Sequence, residues 1–220
     1  MEELLYQYNP WWEEDFNLSG VVERRKYIQV LKGNIENRHI IFLTGLRRVG
    51  KTTLMKLVIK HLLQKGIESK KILYVSVDDY LLKDVSLFDI ISEYKKIHKI
   101  RAEEKLYVFF DEITHISDYN QQLKNLYDKF DIKIIATSSS SSLLRDKKAH
   151  LTGRSITIEV QPLDFEEYKL FKGIDLKKRD EALNESYFKD YIKEGGLPEN
   201  VLNPNREYLM NLVDDIIQKD

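Results

Sequence analysis

Ile40-Ile41-Phe42-Leu43-Thr44-Gly45-Leu46-Arg47-Arg48-Val49-Gly50-Lys51-Thr52 is the stretch that decides how this chain is read. Its first five residues form a short apolar run of strand type. Residues 45–52 then match G-x-x-x-x-G-K-[ST] in full, and a helical pattern follows from Lys51 to Lys65, closed by Gly66. Strand, glycine-bounded loop and helix are the context in which that motif works. Gly45 and Gly50 let the backbone curl so that the N–H groups of Arg47, Arg48, Val49 and their neighbours face phosphate. Lys51 can reach β- and γ-phosphates, the Thr52 hydroxyl can ligate Mg²⁺, and Thr53 lies next to the α-phosphate position. The loop uses main chain for this purpose, so the side chains of Arg47 and Arg48 are expected in solvent or against protein.

Outward from this loop, further apolar runs at 71–77, 106–110, 132–136 and 156–160 read as strands. Between them lie helical patterns. One carries Leu87, Phe88, Ile91 and Ile97 behind a Ser86 cap, and another carries Leu123, Leu126, Tyr127 and Phe130. Ahead of the loop, Val21, Val22, Ile28, Leu31 and Ile35 predict a leading helix over 19–36 capped by Ser19. Continuous apolar strands alternating with amphipathic helices predict a doubly wound α/β fold with a mainly parallel sheet. Ligands of such sheets sit outside the carboxyl ends of the strands. The loop, Asp78, Asp111 with Glu112, and Thr137 with Ser138 all lie at such ends, and they are expected to converge on one crevice. Past Pro162 the pattern is helical only, opening with an Asp164/Glu167 capping box. A final helix is predicted from Asn203-Pro204 through Leu209, Leu212, Val213, Ile216 and Ile217. It has no stop signal, which implies that the chain continues or that its end docks elsewhere. The organisation expected is a leading segment and helix (1–38), a nucleotide-binding core (39–162) and a small helical appendage (163–220).

Leu106-Tyr107-Val108-Phe109-Phe110 delivers two adjacent carboxylates. Asp111 is placed to hold Mg²⁺ through its water shell, and Glu112 to accept a proton from an attacking water. A kinase or a nucleotide switch could do without Glu112, so the pair points to hydrolysis. At the fourth strand's end a hydroxyl, with Ser138 the candidate, could touch the γ-phosphate or the water; a Ser-rich loop satisfying its own backbone is the evenly matched alternative. Arg154, ahead of the fifth strand, could stabilise charge on a departing γ-phosphate. The guanine-reading pattern Asn-Lys-x-Asp does not follow the fourth strand, which leaves ATP as the nucleotide. Trp11 and Trp12 read as packing residues, and His115 has no partner at metal-ligand spacing.

Composition narrows the classes. The chain has 220 residues, 42% hydrophobic and 32% charged, with a net charge of -1, and this describes a globular protein without a polyanion-binding field over its whole surface. The absence of cysteine removes disulfides, thiolate metal sites and cysteine nucleophiles and points to the cytoplasm. No run approaches the length of a membrane span, so insertion into a bilayer is not expected.

Several stretches together resemble one family. GLRRVGKTTL at Gly45, YVSVDD at Tyr74, LYVFFDEI at Leu106, TSSSSSLL at Thr137, LTGRSITIEVQPLDFEEY at Leu151 and GGLPE at Gly195 look like the archaeal and bacterial P-loop ATPases of the AAA+ superfamily that usually carry a C-terminal domain of unknown function. The run from Leu151 to Tyr168 followed by GGLPE is the most specific part. The resemblance implies an AAA+ type core with Glu112 activating water, Ser138 or a neighbour sensing phosphate, and Arg154 as an arginine finger. Where the family usually has glycine before its fourth-strand serine, this chain has Ser138. The resemblance also implies a longer protein of which these residues are part, and a homo-oligomer if Arg154 acts across subunits. Mg-dependent ATP hydrolysis coupled to conformational change in a larger assembly is the function expected. The alternative is a nucleotide-dependent module that binds DNA or another protein and hydrolyses slowly.

Overall fold

The computed structural model describes all residues except Ala102, 140–150, 176–179, Arg206, Tyr208 and 211–220. Two compact units emerge: residues 1–44 with 52–159, and residues 45–51 with 160–220.

The first unit is built on five parallel strands, β1 (Ile40–Thr44), β2 (Ile72–Ser76), β3 (Leu106–Asp111), β4 (Ile132–Ser138) and β5 (Ser155–Glu159), in the order β2-β3-β4-β1-β5. The four strands β1 to β4 are almost wholly buried, as their unbroken apolar runs require. Placing β4 beside β1 brings the ends of these two strands together, with Thr44 level with Ser138.

One face of the sheet packs Phe42, Val75, Val108, Phe110 and Ile134 against α4 (Leu87–Ile97) and α5 (Tyr119–Lys129), through Ile90, Ile91, Leu123 and Leu126. Helix α3 (Lys51–Gln64) reaches the other face, where Lys56 lies over the Tyr74 ring. Right-handed crossovers demand this division, because the chain moves one way across the sheet from β1 to β2 and the other way from β2 to β4. Ser86 caps α4 as the sequence predicts, and Asp89 completes a capping box with it.

The leading segment departs from the expectation. Ser19 caps no helix: Ser19 and Gly20 make a turn, with Gly20 at φ 72°, and the helix α2 spans only Arg25–Asn34. The β-branched Val21 and Val22 run on as irregular chain before it. A further helix, α1 (Glu2–Tyr8), precedes it and was not anticipated. It brings Asn9, Trp11 and Trp12 onto the free edge of β2. The Asn9 amide donates to Tyr74 O at 2.9 Å and accepts from Tyr74 N at 2.6 Å, while both indole N–H groups donate to Ile72 O. Side chains thus cover an edge that would otherwise recruit another strand. The tryptophans are packing residues, as expected, with Trp12 stacked on Tyr94 of α4 at 5.6 Å.

In the second unit, α6 (Phe165–Lys172), α7 (Glu181–Glu194) and α8 (Pro198–Leu202) follow β5 in the chain. The Asp164/Glu167 capping box is present, and Leu163, Tyr168 and Val201 form a small core. The predicted final helix reaches Leu212, Val213, Ile216 and Ile217, which lie outside the described residues, as do Ser140 to Ser142. Among the described residues no helix is long and apolar enough to cross a membrane.

Candidate functional site

At the carboxyl end of the sheet, in the first unit, Asp111 is the hub. It is 3% exposed, and its Oδ2 accepts from Thr52 Oγ1 at 2.6 Å and from Tyr74 OH at 2.8 Å, while Oδ1 accepts from Thr137 Oγ1. Burial, and after it the Asp111 carboxylate, push the Tyr74 phenol well above its ordinary range, so Tyr74 stays a donor.

Glu112 follows on a backbone turned into the left-handed region, φ 53°, which a non-glycine residue adopts only where its surroundings enforce it. The enforcement is visible. Glu112 N–H donates to Thr137 Oγ1 at 2.9 Å, and the Glu112 carboxylate accepts from Ser139 N at 3.1 Å and from Ser139 Oγ. One hydroxyl, Thr137, therefore accepts from the Glu112 backbone and donates to the Asp111 carboxylate.

The hydroxyl on the candidate base belongs to Ser139, whereas Ser138 is fully buried with its Oγ 3.3 Å from Thr114 Oγ1. Strand alternation explains this: Ser138 lies inside β4, and the chain leaves the strand at Ser139. Tyr74 went unread at the sequence level, although period 2 sets it on the same face of β2 as Ser76, the cross-strand neighbour of Asp111. Asp78 and Asp79 do not join Asp111: Ser76 Oγ donates to Asp78, and Asp79 accepts from Tyr8 OH and from Leu81 N.

The loop itself, 45–51, lies in the second unit. Gly45 has φ 135°, and a Cβ there would overlap the Val160 carbonyl oxygen, so no other residue fits. Lys51 is 5% exposed, and its ammonium donates to Gly45 O and Leu46 O, each at 2.9 Å, across the loop. Val49 is buried and Gly50 has φ 95°; Arg47 is exposed, and Arg48 pairs with Glu199, matching the expectation that these side chains meet solvent or protein. Lys51 opens helix α3, with Thr52 and Thr53 in its first turn.

Arg154 stands apart from this end. Its carbonyl accepts from Ile40 N at the start of β1, and its guanidinium lies on Asp128 at 3.2 Å. That is the amino end of the sheet, about five strand residues of about 3.3 Å each from the end that carries Asp111.

The donors of the first unit fit a hard divalent cation. A hydroxyl bonded directly to a buried carboxylate is an oxygen set of the type a hard divalent cation takes, and no cluster of three or more His, Cys, Asp or Glu exists among the described residues. Mg²⁺ is commonly held through only one or two carboxylates plus substrate phosphates. The loop's curled backbone and Lys51 suit phosphate.

A family described as an AAA domain matches residues 37–169. The chain belongs to that family. An uncharacterized protein of Methanocaldococcus jannaschii is 38% identical over 167 residues, covering 74% of this chain and 33% of that protein. One of Haemophilus influenzae is 29% identical over 208 residues, covering 91% of this chain and 50% of its own length. The chain thus spans half or less of these two relatives. A solved Walker-type ATPase of Pyrococcus abyssi superimposes with a TM-score of 0.50 at 18% identity, covering 90% of this chain and 72% of that one, and at this identity the likeness is one of fold. The fold read from the sequence is the fold found, and the AAA domain places the chain among P-loop nucleotide-binding proteins.

Proposed function

We propose that this AAA domain hydrolyses ATP with Mg²⁺ in the cytoplasm, and that hydrolysis drives a conformational change in a larger assembly. The Thr52–Asp111 hydrogen bond at 2.6 Å carries the reading, because it joins the residue after the loop lysine to the buried acid of β3. In this reading the loop N–H groups and Lys51 hold the phosphates, and Thr52 and Asp111 hold Mg²⁺. Bound there, the ion would neutralise charge on the phosphate oxygens. Glu112, fixed by Ser139 and by its own backbone turn, orients a water and takes its proton as the water oxygen bonds to the γ-phosphorus and the bond to the leaving oxygen breaks. Thr137 ties the two acids into one rigid unit.

Arg154, at the opposite end of the sheet from Asp111, acts in this reading on the nucleotide of a second copy. The test measures Mg-dependent ATP turnover per protomer over a wide protein concentration range. Glu112→Gln is expected to keep ATP affinity and to lower turnover by about 10²–10⁴-fold. The wild-type rate per protomer is expected to climb with concentration, and Arg154→Ala to flatten that climb. Turnover unchanged in Glu112→Gln would remove the assigned base, and a flat wild-type rate would remove the role of Arg154. Tight ATP binding without turnover would favour the binding-module alternative, with DNA or a protein as its partner.

A further inference from the structure

The second unit joins the loop, 45–51, to chain that follows β5, and the contacts that do so form a closed circuit. Gly45 lies so close to Val160 that its Cα hydrogen faces the Val160 carbonyl where a side chain would collide. Three residues later, Leu163 N–H donates to Gly196 O at 2.7 Å, and a Cβ on Gly196 would overlap Leu163 O. The short segment 160–163 is therefore pressed against the loop at one end and against the Gly195-Gly196-Leu197-Pro198-Glu199 turn at the other. Tyr191 OH of α7 donates to Leu163 O at 2.9 Å and backs the segment. Glu199, in the first turn of α8, closes the circuit on Arg48 with an Nη1–Oε2 distance of 2.7 Å. Arg48 is itself in the left-handed region, φ 64°, in the middle of the loop. A side chain that ties down a residue of unfavourable backbone holds the loop in one shape.

We infer that Arg48 and Glu199 are a positioning pair: Glu199 fixes the loop in the curl that receives phosphate, and nucleotide on the loop in turn stabilises the 195–202 turn and helix. The inference rests on the reading of 45–52 as an ATP site. Reciprocity follows from linkage, since whatever Glu199 contributes to nucleotide affinity, nucleotide must return to the contact that Glu199 makes. Both side chains are about half exposed, so the coupling is modest and screened by salt.

The test titrates MgATP against the wild type, Arg48→Ala, Glu199→Ala, the double variant and the exchanged pair Arg48→Glu with Glu199→Arg. Hydrogen exchange of residues 195–202 is followed with and without nucleotide. Each single variant is expected to weaken ATP binding about threefold to fivefold, corresponding to an exposed ion pair of up to about 1 kcal/mol. The double variant should bind no more weakly than the singles, the exchanged pair should recover part of the loss, and 1 M salt should narrow the difference. ATP should slow exchange at 195–202 in the wild type and not in Glu199→Ala. Wild-type affinity in Glu199→Ala, or exchange at 195–202 indifferent to bound ATP, would overturn the pair while leaving the ATP site standing. A wild-type chain that does not bind ATP would overturn both.

Discussion

Two buried charges lie on one face of the central strands, at opposite ends, and they are held in opposite ways. Asp111 ends β3, and Lys133, 2% exposed, lies near the start of β4 beside Tyr107, two pleats from Asp111 on the same face. Asp111 accepts from three hydroxyls, those of Thr52, Tyr74 and Thr137. The Lys133 ammonium donates to Asn37 O at 2.9 Å, Asn37 Oδ1 at 3.1 Å and His39 O at 2.6 Å. A hydroxyl rotates and is both donor and acceptor, so Thr52 can turn from donating to Asp111 to lending its oxygen to a cation. A backbone carbonyl can only accept. Burial alone marks neither residue as functional; exchangeable partners are what the proposed reading of Asp111 needs, whereas the carbonyl partners of Lys133 make it the fastener of the chain entering β1.

The largest effect that would break this contrast comes from Asp111→Asn. In the proposed reading the Asp111 charge holds Mg²⁺ and an amide cannot supply it, so turnover is expected to fall about 10²–10³-fold, equivalent to several kcal/mol of charge stabilisation. Steady-state phosphate release at saturating Mg²⁺ checks it. Turnover within a few-fold of wild type would make Asp111 as structural as Lys133.

At the other end, Lys133→Met should leave turnover per folded molecule unchanged while lowering stability by about 1–3 kcal/mol, because the Asn37 and His39 carbonyls lose their donor. Burial, and after it the charge of Lys105, depress Lys133 to about 8 from its ordinary 10.5, with Glu36 opposing. The unfolded chain therefore holds this proton more tightly than the folded one. The cost of burying the charge is fully present below pH 8 and is relieved as pH rises from about 8 to 10.5, so wild-type stability should gain on the Met variant across that window. Denaturant melts of the two proteins at pH 7, 9 and 10 measure the difference. A constant difference would mean that Lys133 does not titrate as its burial dictates.

The same contrast explains what the sequence made legible. Two patterns were readable because each is local: Gly45 to Thr52 is one unbroken motif, and Asp111-Glu112 ends one apolar run. Lys133 was silent, since a lone lysine in Ile-Lys-Ile-Ile gives no sign of acceptors that lie 94 and 96 residues back. Asn9 and the two tryptophans sealing β2, and Glu199 reaching Arg48 across 151 residues, were hidden for the same reason. Which serine meets Glu112 was hidden for a different cause. Five serines in succession give no pattern to mark where β4 ends, and only the strand's exit decides that Ser139 meets Glu112.

The smallest effect is the sharpest test of exchangeability. Tyr74→Phe keeps the ring against Lys56 and removes a single hydroxyl from Asp111 Oδ2, which retains Thr52. Stability is expected to fall by about 1 kcal/mol, the net worth of one such hydrogen bond. If the Tyr74 hydroxyl only orients the carboxylate, the Mg²⁺ concentration for half-maximal turnover should shift a few-fold while turnover at saturating Mg²⁺ stays close to wild type. A fall in saturating turnover with no change in Mg²⁺ dependence would give Tyr74 a part in the chemistry itself. Lower stability with both kinetic quantities unchanged would show that even at this end one hydroxyl partner serves the fold alone, and the exchangeable set around Asp111 would shrink to Thr52 and Thr137.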